Sequence, residues 1–347
     1  SLQRLALFVS LKTFSQIAIC TFGMLHIWNV PKSLTGFNKE KILMVLYGYT
    51  IGDQDINPSQ AGEQFAVYRF PISPLNTTPQ KVGEITAANI PNADLEGLGT
   101  NPTTQRVSAV NEGPGSVIVV NNVDQPIAPA STSPTPSDLS RFGSDSGADF
   151  GGTRTALYNI SGNGDSGDGV VGSSLYRITT ANPGTISLVD TFGPATTAAQ
   201  RQGTQPTNSE FADGLAIDNL NPGNTRAFAS DFSTSDGDGN ELYKVDLLTG
   251  ELSAPIALRT RSGQALNVNA DSGLAFTNSG TQGLFALLET GAVYQITDYQ
   301  DDLAASGLGL GSGSFATATL LGNVNLPNAL ALPPNTINYE GFTIVNE

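Results

Sequence analysis

Residues 213–258 read DGLAIDNLNPGNTRAFASDFSTSDGDGNELYKVDLLTGELSAPIAL. Four short apolar runs lie in this stretch, at 214–217, 225–231, 241–246 and 251–258. Turn chemistry separates them: Asn221-Pro222-Gly223, then a Gly/Asp run at 236–239, then Thr249-Gly250. Runs of this length, bounded by Gly, Pro, Asn and Asp, predict strands. The next stretch repeats the order with strands expected at 273–276, 283–288, 292–297 and 316–321.

Two motifs carry this order along the chain. One is a Tyr flanked by small or apolar residues, at Tyr68, Tyr176, Tyr243 and Tyr294. The spacing of 108 residues between Tyr68 and Tyr176 is about twice the 51 between Tyr243 and Tyr294, so one unit between them lacks its Tyr. The other is an acid, a Gly and an apolar strand, beginning at Glu96, Asp145, Asp213, Asp271 and Glu340. Four short strands per unit of roughly 50 residues is the blade of a β-propeller. No amphipathic helical stretch lies between the strands, which argues against a parallel βαβ fold. The expected fold is therefore all-β, a β-propeller of five to six four-stranded blades. Units begin near 45, 96, 145, 212, 271 and 326. The last is short, so either the early strands complete the ring or the domain is truncated at the C-terminus. The recurrence of the tyrosines with the structural period assigns them to blade packing.

Composition sets what the fold can do. The chain has 347 residues, with 38 Gly and 20 Pro, and Asp+Glu 31 against Lys+Arg 16 gives a net charge of -15. That balance excludes binding of nucleic acid by phosphate neutralisation. One Cys and one His exclude an intrachain disulfide and a Cys/His zinc site. Beyond His26 there is no His, so Ser-His-Asp and Cys-His nucleophile systems cannot be built in 51–347.

Residues 1–50 differ from the rest. They hold Cys20, His26, Trp28 and both methionines, Met24 and Met44. They also carry Arg4, Lys12, Lys32, Lys39 and Lys41 against Glu40. Three readings stand: an export signal or membrane anchor, a segment packed on the domain, or non-native sequence. The domain expected is 51–347. Its acidic, Cys-free composition fits an exported protein, placed outside the cell, in the periplasm or on the cell surface. A membrane contact is expected only through 1–50.

The "GLAF … LFAL … AVYQI" pattern at 273–296 and the "LYKVDLLTGELS" pattern at 242–253 resemble blades of exported bacterial β-propeller repeat proteins of unknown function. More remotely the chain is similar to phytase-like and esterase-like propellers, whose blades can open with an acid-Gly pair such as Glu340-Gly341. The resemblance covers about 55–347.

Two carboxylate constellations are candidate sites. In a propeller the first strand of each blade lines the central channel, so Glu96, Asp145, Asp213, Asp271 and Glu340 would gather near one channel mouth. A ring of carboxylates holds together around a hard cation such as Ca²⁺, which could polarise a phosphoryl or lactone oxygen. The alternative is that these acids cap turns beside a Gly. The second constellation is the Gly/Asp turn. Asp236, Asp238 and Asn240 alternate along it, and Asp231 and Glu241 flank it. A related loop carries Asn163, Asp165 and Asp168. Alternate oxygen ligands suit Ca²⁺, although the full EF-hand pattern is absent. A solvated hairpin loop is the competing reading. The expected function is a non-enzymatic extracellular binding module, with an unknown ligand or protein as partner and Ca²⁺ as stabiliser. The alternative is a Ca²⁺-dependent hydrolase at the channel mouth.

Overall fold

A computed structural model describes residues 45–347 except 55–63, 87, 91–92, 112–117, 127–145, 152–155, 163–172, 181–184, 190–211, 233, 235–238 and 327–336. The chain divides into two units, Ser1–Leu43 and Met44–Glu347, and every described residue lies in the second. The readings of 1–44, including the anchor, fall outside the described residues. Among the described residues no helix is long and apolar enough to cross a membrane.

The fold is all-β. β1 (Leu46–Gln54), β2 (Gln64–Pro71) and β3 (Gln80–Ile85) form one sheet with the last strand of the chain, β19 (Ile337–Asn346), in the order β19-β1-β2-β3. β4 (Leu95–Thr100), β5 (Val107–Asn111) and β6 (Val119–Asn121) form a three-stranded sheet. β7 (Ser146–Gly151), β8 (Ala156–Gly162), β9 (Ser173–Thr179) and β10 (Ile186–Leu188) form the next. Two further groups of four follow. They are β11 (Gly214–Ile217), β12 (Ala227–Asp231), β13 (Glu241–Lys244) and β14 (Ile256–Thr260), then β15 (Ser272–Phe276), β16 (Leu284–Leu288), β17 (Ala292–Thr297) and β18 (Phe315–Asn323). A parallel pairing of β14 with β18 joins these two groups edge to edge into one sheet of eight strands. A single short helix among the described residues, α1 (Gln300–Ala304), lies in the β17–β18 connection.

The strands expected from 214, 225, 241, 273, 283, 292 and 316 are present with ends within a few residues, and the one expected at 251–258 lies at Ile256–Thr260. The unit expected near 326 is not a separate one. Its strand, β19, pairs antiparallel with β1 along their whole lengths, from Leu46↔Asn346 to Gln54↔Ile337. Five of the nine β1 residues, 46–50, lie before Ile51, on the upstream side of the compositional boundary at 50.

The first strand of each group meets the next in a closed cycle: β19 packs on β4, β4 on β7, β7 on β11, β11 on β15 and β15 on β19. Glycine makes the close approach possible. A Cβ on Gly147 would lie 2.3 Å from the Asp213 carbonyl oxygen, and one on Gly341 would lie 2.4 Å from that of Glu96. Gly97, Gly214 and Gly273 meet the following strand in the same way. Glycine faces glycine around the ring, and later residues face later ones, as Gly151 faces Ile217. The five inner strands therefore run the same way. They begin at one face of the molecule, the N-face, and end at the other, the C-face.

The core repeats this cycle. Among the described residues, buried apolar side chains fall into five clusters, one at each joint between neighbouring groups. Register carries the equivalence outward. The residue after each ring glycine pairs with a residue of the second strand, which pairs with the third. The resulting rows are Phe342–Thr50–Tyr68, Leu98–Ala109–Val120, Ala148–Asn159–Tyr176, Leu215–Ala229–Tyr243 and Leu274–Ala286–Tyr294. Each Tyr is buried in the joint with the preceding group. Val120 holds that place in the β4–β6 sheet and closes the joint with the β19-β1-β2-β3 sheet, which accounts for the doubled Tyr spacing.

Candidate functional site

The inner strands set two rims of different chemistry. At the N-face, Glu96 and Glu340 lie partly buried in β4 and β19, immediately before their ring glycines. Asp213 stands in the same position before Gly214, but Ser272 holds it before Gly273, so Asp271 is one residue out of phase. Asp213 and Asp271 nevertheless come together. Their carboxyls hydrogen-bond to each other, and Ser272 Oγ lies 3.3 Å from Asp213 Oδ1. Asp271 is raised above the ordinary carboxylate range by loss of hydration and then by the charge of Glu289, with the bond to Asp213 opposing. Glu289 has no counterpart in the repeated sequence motif. Asp145 lies outside the described residues. Among the described residues no three of His, Cys, Asp and Glu stand close enough to share a metal ion.

Asp231 and Glu241, which flank the Gly/Asp turn, pair with each other at the N-face ends of their strands. Asp231 ends β12 as a buried residue and Glu241 begins β13. The Glu241 carboxylate accepts a hydrogen bond from Tyr243 Oη at 2.8 Å. Asn240 clasps the neighbouring connection: its Nδ2 donates to the Val268 carbonyl at 2.9 Å, and its Oδ1 accepts from Val268 N–H at 2.9 Å. A side-chain amide used this way copies a backbone ladder pair, so Asn240 has a structural use in the described turn. Asp236 and Asp238 lie outside the described residues, as do Asn163, Asp165 and Asp168.

The C-face rim is built from amides and one carboxyl. Asp149, in β7, is 4% exposed; its Oδ1 accepts from Phe150 N–H and its Oδ2 from Ile217 N–H, each at 2.8 Å. Burial pushes its carboxyl up to about 8 against those two bonds. In return Asn219 Nδ2 donates to the Phe150 carbonyl at 2.6 Å. Asn278, two residues after β15 as Asn219 is two after β11, donates to the Ile344 carbonyl at 3.2 Å. Asn346 Nδ2 bonds Ser279 Oγ. These contacts staple the inner strands from β7 round to β19.

Beside this rim, between the β19-β1-β2-β3 sheet and the β4–β6 sheet, is a polar pocket of about 590 Å³. Tyr49, Arg69, Lys81, Gln105, Arg106, Asp124, Asn346 and Glu347 are among its lining residues. Arg69 pairs with Glu347, which also accepts from Tyr49 Oη. Arg106 pairs with Asp124 at 2.8 Å. Burial and the Glu347 bond raise the Tyr49 phenol far above its ordinary value, so it stays protonated and serves as a donor. Residues 51–347 hold only eleven Lys and Arg, and three of them line this one pocket. Sequence reasoning did not find it. Its walls come from residues as far apart as Tyr49 and Glu347, and no local motif marks it.

No family model matches the chain, and no curated protein matches it. Among solved structures, the chain is similar to a chain of a nidogen/laminin complex at 12% identity, over 86% of this chain and 98% of that one, with a TM-score of 0.36. It is also similar to a luciferin-regenerating enzyme at 12% identity, over 87% of this chain and 95% of that one, with a TM-score of 0.35.

Proposed function

We propose that the chain is a five-bladed β-propeller that works as a non-enzymatic extracellular binding module, and that the C-face pocket is its ligand site. The observation that carries this is the pocket between the first two blades. It gathers cations, carboxylates and amides on rigid strand ends, whereas the repeated acids are spread along the N-face. Concave sites with a few convergent polar groups are where small ligands bind. Arg106 is a suitable probe: its side chain is 46% exposed, and the Asp124 carboxylate that it leaves behind keeps its bond from Val107 N–H. A thermal-shift screen of the full chain against a broad set of small metabolites should give hits whose shifts vanish in Arg106→Met. No hit, or hits that Arg106→Met leaves unchanged, would contradict the assignment. Calcium at the Gly/Asp turns belongs to the same proposal, supported by the alternating oxygen residues alone. It calls for a melting temperature that rises when Ca²⁺ replaces EDTA, and does not rise with Mg²⁺.

A second reading, a metal-dependent hydrolase at the N-face, has one observation in its favour: the carboxyl contact of Asp213 with Asp271. It requires phosphoesterase or lactonase turnover that is lost in Asp213→Ala and Asp271→Ala while the fold persists. Full activity in both variants would end it.

A further inference from the structure

We propose, resting on the pocket assignment above, that the ligand is an uncharged, hydroxyl-rich molecule of the saccharide class. Two side-chain oxygens of the pocket's lining residues, Gln105 Oε1 and Asn346 Oδ1, are buried without a hydrogen-bond partner. A buried acceptor left without a donor is unfavourable by about 1–3 kcal/mol. The orientation of Gln105 is fixed, because its Nε2 donates to the Pro102 carbonyl at 3.1 Å and only nitrogen can do so. These acceptors call for a proton donor. A carboxylate brings none and a hydrogen phosphate brings few, together with its charge, whereas every hydroxyl of a polyol donates one bond and accepts others.

The charges of the pocket point the same way. Arg69 and Arg106 are paired with Glu347 and Asp124, and Lys81 with Glu84 at 2.8 Å. An anion would have to compete with carboxylates already in place. An ammonium ion would meet three cations. A polyol carries neither cost. Its hydroxyls can accept from Arg106, Arg69 and Lys81 while donating to Gln105, Asn346 and the carboxylates. Planar guanidinium and carboxylate groups each reach two neighbouring hydroxyls at once.

The wall that carries Gln105 is already ordered. Asn101 Oδ1 accepts from Thr103 and Thr104 N–H at 2.9 and 3.2 Å, and the Asn101 backbone bonds both Gln105 and Arg106. Gln105 itself sits at φ 56, a left-handed conformation that this turn imposes. Little ordering remains for a ligand to bring about.

The test is calorimetric titration of the full chain with sucrose, maltose, lactose and cellobiose to millimolar concentration, alongside citrate and inorganic phosphate. At least one disaccharide should bind saturably. Gln105→Asn suits the left-handed backbone but withdraws the amide, and should weaken that binding about tenfold. Arg106→Met should do the same, and both variants should keep a cooperative melting transition. The proposal is overturned if no disaccharide binds, or if a bound disaccharide is held equally by both variants. It is also overturned if citrate or phosphate binds, sensitive to Arg106→Met, and the sugars do not. That last result would leave the pocket as the ligand site and remove only the ligand class.

Discussion

Asp149 shows how a single buried group ties the stability of the ring to pH. Its folded-state value of about 8 lies above the 3.8 expected for the free side chain, so the folded protein holds its proton more tightly. The stabilisation from that proton is complete below pH 4 and is lost as pH rises through 8. Every tenfold difference in proton affinity corresponds to about 1.4 kcal/mol. Melting temperature should therefore fall between pH 5 and pH 9, and the fall should be shallower in Asp149→Asn. An equal slope in the two proteins would show that Asp149 stays ionised, held by its two N–H donors. Gly147 tests the ring from the other side. An added methyl group there meets backbone on three sides, at 2.3, 2.5 and 2.7 Å, and no rotamer can relieve it. Gly147→Ala should cost roughly 1–3 kcal/mol in a denaturant melt, as overpacking does. Gly263→Ala serves as a comparison, because a Cβ there meets nothing within 4 Å and only its φ of 82 opposes it. Ring glycines of this kind were legible in the sequence as the second element of a repeated acid-Gly motif. Their reason was not, since it lies in the neighbouring strand.

At the scale of elements, β19 is the strand on which closure depends. It is the inner strand of a sheet whose other three strands come from the opposite end of the described chain. It supplies Phe342 and Ile344 to the joint with β15 and β16, and Val345 to the joint with β4. Phe342 is 2% exposed and stacks with Phe70 at 6.3 Å between ring centres. Phe342→Ala should cost about 3–5 kcal/mol by equilibrium unfolding, the usual range for a buried phenylalanine. A loss below 1 kcal/mol would mean that the joint is looser than its geometry. The strand order of 213–321 was readable because turn residues and alternation agree there. The closing pair of β1 with β19 was readable as one of two alternatives and not in its register, because no local pattern joins residues nearly three hundred apart. α1 was missed for a related reason. Its five residues are too few to show a helical period, and tertiary contacts hold its loop. The buried Lys244 Nζ donates to the carbonyls of Ala305 and Gly307 at 2.8 and 2.6 Å.

For the whole molecule, the parallel inner strands give the ring two unlike faces. Glu96, Asp213, Asp271 and Glu340 lie at the N-face. The amide rim and the pocket with Arg69, Lys81 and Arg106 open on the C-face. A motif search finds the first, because repeats write it into the sequence. The second is assembled from positions that repeat nowhere else, as a site present once in a repeating framework must be. Hydrogen–deuterium exchange of the full chain, with and without the disaccharide panel, tests this division most directly. Peptides covering 46–54, 101–111 and 337–347 should gain protection together in the presence of a bound sugar, while 213–217 and 271–276 remain unchanged. Protection confined to the N-face peptides would contradict the assignment of ligand binding to the C-face pocket, and none anywhere with any sugar would contradict the saccharide class.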